Sequence, residues 1–279
     1  MQFDGKVAVI TGGSLGIGLA MSKAFAAEGA NLVVVSNDKT QFENVKYITG
    51  VKVETFEADV SKPEQVDAMV KFALEKFGTV DILVNCAGIY GPIGLITDND
   101  VKHWQTTINI NLYGTFLCMR AVLPTMMKNK KGKIINMSGG GGASPLPRFS
   151  AYGTAKAGVI RLTETIANEV KDYNIDINAI APGAVNTRLL DESLAAGDAV
   201  GSEFRAKILK QKEEGGVPPE KVAELAVYLA SSESDGLSGR LVSLLWDNWR
   251  DSKKHLEDIK NSDIYTMRRI VPEDRGFEW

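Results

Sequence analysis

Short apolar runs alternate along this chain with longer segments whose apolar residues return at helical spacing. The runs at Val7–Ile10, Leu32–Val35, Val51–Glu57, Ile82–Asn85, Lys133–Met137 and Ile175–Ala181 predict strands. Between them, the patterns at Gly18–Glu28, Pro63–Phe77, Val101–Lys128 and Tyr152–Tyr173 predict helices. The strands are continuously apolar, so both of their faces must be covered. Alternation with helices covers both faces of a parallel sheet, each crossover helix burying one stripe. The predicted class is α/β, a single doubly wound parallel sheet with helices on both faces. In this class ligands lie outside the carboxyl ends of the strands.

Two regions depart from the alternation. Residues 188–216, rich in alanine, glycine and charge, predict a loop-rich segment. Residues 247–279 carry Trp249, Phe277, Trp279 and the pair Arg268–Arg269. Mixed aromatics and charges argue against disorder, so this C-terminal extension is expected to pack on the domain or on a neighbouring subunit. The expected organisation is one domain over residues 1–246 followed by the extension.

Composition narrows the function. A net charge of -3 and a pI of 5.6 provide no basic surface for nucleic acid or an anionic membrane. No run of about 20 apolar residues is long enough to span a bilayer. The first strand begins almost at once, with no basic-then-apolar leader before it, and the expected location is cytoplasmic. Cys86 and Cys118 are too few for a disulfide framework, and with the isolated His103 and His255 they match no metal spacing. No metal site is expected.

The first chemical motif is Thr11-Gly-Gly-Ser-Leu-Gly-Ile-Gly18, at a strand end and opening a helix. Gly12 permits a tight turn, Gly16 lets backbone approach a pyrophosphate, and Gly18 allows close helix–strand packing. The helix N-terminus then presents N–H groups and positive potential to phosphates. A glycine cluster alone can be a steric turn; at the first strand–helix junction of a βαβ pattern it predicts dinucleotide binding.

This spacing, with the motifs that follow it, resembles the short-chain dehydrogenase/reductase family over about residues 5–245. Asp59 in Glu-Ala-Asp-Val matches the acidic residue that the family places by adenine. Asn85-Cys-Ala-Gly88 matches a turn that supports the sheet and lines the cofactor. Asn111 matches the catalytic asparagine, Tyr152-x-x-x-Lys156 the catalytic pair, and Pro182-Gly183-Ala-Val-Asn-Thr187 the loop over the nicotinamide carboxamide. The resemblance implies a Rossmann-type NAD(P)-dependent oxidoreductase that interconverts a secondary alcohol and a carbonyl. It also implies a homo-dimer or homo-tetramer. The cofactor residues assigned on this basis are Gly12, Ser14, Gly16, Ile17, Gly18, Ser36, Asn37, Lys39, Asp59, Val60, Asn85, Ala87, Gly88, Tyr152, Lys156, Pro182, Gly183, Val185 and Thr187.

The Tyr–Lys pair also makes sense from its spacing. Positions i and i+4 share a helix face. A free phenol with a pKa near 10 exchanges protons poorly at neutral pH, and a neighbouring cation is expected to draw it downward. Tyr152 is then the general acid/base. Asn111 lies within a helical pattern that disfavours asparagine, and the resemblance implies a distorted helix there, with a water linking Lys156 to solvent. One departure stands out. The family places a substrate-binding serine thirteen residues before the tyrosine, where this chain has Gly139. Either Gly139 is a true replacement, or the run Gly139–Gly142 twists to turn Ser138 inward, so Ser138 is carried as a fourth catalytic candidate.

An acidic residue at position 36 would hold the ribose diol and repel a 2′-phosphate, but Ser36 is neutral. Lys39 can reach a 2′-phosphate or be a solvated loop lysine, and the reading leans to NADP over NAD. Arg148 and the polar tail point to a polar substrate such as a sugar derivative. The alternative function is an NAD(P)-binding sensor or scaffold with little or no turnover, which Gly139 favours and the intact Tyr–Lys–Asn set opposes.

Overall fold

The computed structural model describes residues Met1–Trp279. Seven strands form one parallel sheet: β1 Val7–Thr11, β2 Asn31–Ser36, β3 Val53–Glu57, β4 Ile82–Asn85, β5 Gly132–Met137, β6 Ile175–Ala181 and β7 Arg240–Ser243. Their order across the sheet is β3-β2-β1-β4-β5-β6-β7, with every neighbouring pair parallel. The order reverses between β1 and β4, which opens a crevice at their carboxyl ends. β7 was not predicted. It has only four residues and begins with Arg240, so pairing with β6 rather than its own pattern makes it a strand.

Ten helices accompany the sheet: α1 Gly16–Ala27, α2 Pro63–Phe77, α3 Val101–Ile108, α4 Gly114–Asn129, α5 Gly140–Ala143, α6 Ser150–Glu169, α7 Arg188–Ala195, α8 Ser202–Glu214, α9 Pro219–Ala230 and α10 Leu256–Lys260. Local chemistry sets several boundaries. Pro63 opens α2, where its missing N–H costs nothing, and Gly78 ends it in the left-handed region, donating to the Leu74 carbonyl. The Asp100 carboxylate caps α3 by accepting from the His103 N–H.

Side chains leave a strand on alternate faces. Ala8 and Ile10 of β1 therefore join Phe25, Leu225 and Ala226 of α1 and α9, while Val9 joins Met69, Leu117 and Val122 of α2 and α4. A third, small cluster stands apart at the carboxyl end of the sheet, around Phe149, Leu190, Val200 and Ile208. It is where residues 188–214 settle, and they are helical rather than loop-rich. Of the thirteen residues in α8 only Ile208 is buried, so its sequence carries too thin an apolar stripe to announce a helix.

The C-terminal extension folds back onto the domain. Trp249 and Ile259 are buried, and the Tyr228 and Ser252 hydroxyls meet at 2.8 Å. The buried Arg240 donates to the carbonyls of Ser262 and Ile264, and Leu241 N–H donates to the Tyr265 carbonyl along the outer side of β7. Trp246 and Trp279 remain exposed. No helix is long and apolar enough to cross a membrane.

Candidate active site

The crevice is a cleft of about 400 Å³. Its floor is the glycine turn. Gly12 and Gly16 hold φ of +64° and +50°. A Cβ on Gly12 would meet the Ala87 backbone at 2.9 Å, and one on Gly18 would meet the Gly12 carbonyl oxygen at 2.0 Å. The N-cap of α1, Leu15, offers no side-chain oxygen, so the first N–H groups of the helix face the cleft without a protein acceptor. Thr11 Oγ1 secures the opposite wall by accepting from Cys86 N–H and Ala87 N–H. Uncapped N–H groups above close-packed glycines suit a pyrophosphate, and the cleft residues fit a nicotinamide dinucleotide.

Eleven of the expected cofactor residues line the cleft: Gly12, Gly16, Ile17, Gly18, Ser36, Asn37, Asp59, Val60, Ala87, Gly88 and, from the far side, Thr187. Others are placed elsewhere. Ser14 is buried, and its hydroxyl donates to Gln41 Oε1. Asn85 points into the sheet core, where its Nδ2 donates to Asn136 Oδ1. Lys39 is exposed on the turn after β2, outside the cleft wall. Pro182, Gly183 and Val185 also lie outside that wall, because Val185 bridges to Val217 and Gly183 sits beneath Leu245.

The chemical pair lies on α6. Tyr152 and Lys156 share a face, with the ammonium 5.6 Å from the phenol ring centroid. The Lys156 Nζ donates to the Met137 carbonyl at 2.7 Å, and burial pushes its pKa down to about 8. Burial also pushes the Tyr152 phenol up, and the nearby Tyr90 and Cys86 add to this. The expectation that the cation would draw the phenol downward is therefore not met. The ammonium is turned to a carbonyl, and withdrawal from water outweighs its pull.

Asn111 occupies a π-turn, Asn109–Tyr113, between α3 and α4, which resolves the one long helix expected there. Its amide is paired with backbone on both sides: Nδ2 donates to the Ile89 carbonyl at 2.7 Å, and Oδ1 accepts from the Ile89 N–H at 3.0 Å. Asn111 thus clamps the loop after β4 from the distorted helix that the resemblance implies.

Ser138 does not turn inward. Its hydroxyl is buried and donates to the Lys156 carbonyl at 3.1 Å, away from the phenol. A Cβ on Gly139, by contrast, would lie 3.2 Å from the Tyr152 oxygen. The position facing the phenol is therefore the one that has lost its side chain. The inward twist fails because Gly139 is extended, with φ of 167°, and strand alternation carries through Ser138.

Several residues were missed by the sequence reading. Gln41 lines the cleft and accepts from both Ser14 and Ser36. It arrives there on a 3₁₀ turn, Lys39–Val45, capped by Asp38, and only that Asp-x-Thr start was a usable signal. Tyr90 packs edge-on against Tyr152, with centroids 4.7 Å apart. Arg148, expected to read a polar substrate, donates to the Ala199 carbonyl at 3.2 Å and so pins residues 188–214.

Residues 6–197 match the family described as short chain dehydrogenase. The chain is 38% identical over 249 residues to glucose 1-dehydrogenase 2 of Bacillus subtilis (strain 168), covering 85% of this chain and 92% of that one. It is 39% identical over 244 residues to 3beta-hydroxysteroid dehydrogenase 1 of Eggerthella lenta, covering 85% and 91%. Among solved structures it is similar to NAD+-bound xylitol dehydrogenase, with a TM-score of 0.81 and 28% identity, over 87% of this chain and 98% of the other.

Proposed function

The chain belongs to the short-chain dehydrogenase/reductase family and is an NAD(P)-dependent oxidoreductase, and from that premise we propose that it interconverts a secondary alcohol and a carbonyl, with Tyr152 exchanging the proton at the substrate oxygen. The observation that carries the reading is the Tyr152 oxygen, standing over a glycine at the end of β5 with Lys156 one turn behind it. The alternative of a sensor without turnover finds no support among relatives named as dehydrogenases.

When bound, the dinucleotide supplies or accepts a hydride at its nicotinamide. Gly12, Gly16, Gly18 and the N-terminus of α1 would hold its phosphates, and Asp59 and Val60 would flank its adenine. Burial keeps the Tyr152 phenol protonated, which suits it to deliver a proton to a carbonyl oxygen. In the opposite direction Tyr152 must accept the alcohol proton. A charged Lys156, available below its pKa of about 8, favours the phenolate that must stand ready to take it. Asn111 positions the cleft wall at Ile89 by clamping its backbone.

For the cofactor we favour NAD, which revises the lean to NADP. Ser36 and Gln41 are neutral, and Gln41 Nε2 donates to the carboxylate of Asp38, whose pKa is lowered chiefly by hydrogen bonds from Thr40. A 2′-phosphate here would face the Asp38 carboxylate, and the residues that line the cleft on this turn, Ser36, Asn37 and Gln41, are uncharged.

The deciding experiment replaces Tyr152 by Phe. Across a panel of alcohols and ketones, turnover is expected to fall by at least about a hundredfold, the scale of one general acid/base. Circular dichroism and the Kd for NAD should stay as in the unmodified protein. Undiminished turnover removes Tyr152 from the chemistry.

A further inference from the structure

The geometry around the phenol points to a substrate class. We propose that the reacting carbon belongs to an apolar carbocyclic alcohol or ketone, and that Tyr90 is the residue that selects it; this deepens the oxidoreductase reading and rests on it.

Beyond the Tyr152 ring the wall is aromatic. Tyr90 meets Tyr152 at 4.7 Å with planes inclined by 74°, and meets Phe149 at 5.2 Å with planes inclined by 62°. Phe149 in turn packs at 4.9 Å on Phe204 of α8. Tyr90 is fixed rather than free to swing. Asn111 grips the preceding residue by both backbone groups, and the following Gly91 holds φ of +74° against the Thr107 side chain. Rigid ring faces and edges beside the reacting oxygen complement the faces of another ring.

Charge on this side is already committed. The Arg148 guanidinium donates to the Ala199 carbonyl, and Arg188 pairs with Glu192 at 3.1 Å. A carboxylate or phosphate on the substrate would have to draw Arg148 from the Ala199 carbonyl or Arg188 from Glu192. A polyol would bring several hydroxyls to rings that cannot hydrogen-bond them, at a desolvation cost for each. The Tyr90 hydroxyl itself faces Ser193, which donates to the Leu189 carbonyl.

The third observation is Gly139. Any side chain here would start 3.2 Å from the Tyr152 oxygen, in the space beside the carbon being oxidised or reduced. Without one, that space takes the ring carbons flanking a cyclic carbinol.

The test measures kcat/KM of the full-length chain with NAD against cyclohexanol, D-glucose, 3-hydroxybutyrate and 2-butanol. Cyclohexanol should exceed glucose and 3-hydroxybutyrate by at least about tenfold, the lower end of discrimination by an apolar pocket. Tyr90→Ala should lower the cyclohexanol to 2-butanol ratio by about tenfold, chiefly through KM. Tyr90→Phe should keep that ratio, since the ring and not the hydroxyl selects. Phe204→Ala, on the cap and outside the sheet core, provides a second probe should Tyr90→Ala not fold, and is expected to lower the ratio in the same direction. A preference for glucose or 3-hydroxybutyrate, or a ratio unmoved in both alanine variants, overturns the inference and leaves the oxidoreductase reading standing. Failure to reduce either NAD or NADP with any alcohol removes that reading and the inference with it.

Discussion

The glycine turn at residues 12–18 and the helical cap at residues 188–214 meet across one cleft, where the Thr187 side chain comes within 3.4 Å of a Cβ position on Gly16. On the first side the shape is backbone against backbone. Gly18 lies under the Gly12 carbonyl, and Gly12 abuts Ala87 on the neighbouring strand end. On the second side the cap rests on side chains: Leu190, Val200 and Ile208 around Phe149, with Arg148 holding Ala199. Backbone contacts tolerate almost no change in volume, whereas a side-chain cluster can repack. The half that would hold the cofactor is thus rigid, and the cap that faces it is adjustable.

The sharpest way to break this contrast is Gly18→Ala. Its new methyl carbon has no free space, so the turn must open; NAD affinity is expected to fall by about a hundredfold or more, near 3 kcal/mol, and the melting temperature should drop. Titration with NAD and a thermal melt check both. If the variant binds NAD normally, the turn is not the rigid half.

Leu190→Ala tests the other side. Removing a buried leucine from a small cluster costs about 2–5 kcal/mol locally. The loss should appear as faster amide exchange over residues 188–214 and a raised substrate KM, while NAD affinity holds. A parallel loss of NAD affinity shows that the halves are one unit.

Lys156 stands between them and carries a pH signature. Its pKa falls from 10.5 to about 8 on folding because burial disfavours the charged form. Between these values the unfolded chain binds more protons than the folded one, so this group's contribution to stability rises with pH across that window and is constant below about 8. Relative to Lys156→Met, the wild type should gain up to about 1.4 kcal/mol per pH unit from pH 8 upward. Denaturant melts at three pH values give the slope; a flat difference means that Lys156 is not desolvated.

The smallest effect is expected at Ser138. Its hydroxyl serves a helix carbonyl and not the substrate, so Ser138→Ala should cost about 1 kcal/mol of stability and less than about threefold in kcat. A loss near that of Tyr152→Phe would return Ser138 to the chemistry.

Much of the fold was legible because its signals are local. Continuous apolar strands, Pro63 and Gly78 around α2, and glycines at a strand–helix junction act through near neighbours in the chain. Tyr152 and Lys156 were readable for the same reason, since four residues on a helix return to one face. What remained hidden depends on distant partners. Four residues starting with Arg240 form a strand only beside β6. The polar helix α8 exists because Phe204 and Ile208 find Phe149.

The site divides along the same line. The sequence by itself determined that a glycine turn would stand at the strand end and open a helix, and that a phenol and an ammonium would share a helix face, because chain geometry over a few residues sets both. Only the tertiary structure decided that Ser138 turns to the Lys156 carbonyl, that Gln41 replaces Lys39 at the cleft, that burial raises the Tyr152 phenol against its lysine, and that Tyr90 closes the wall. Each of these depends on what an element sixty or more ångströms of extended chain away brings to the same point, and on how much water that packing leaves.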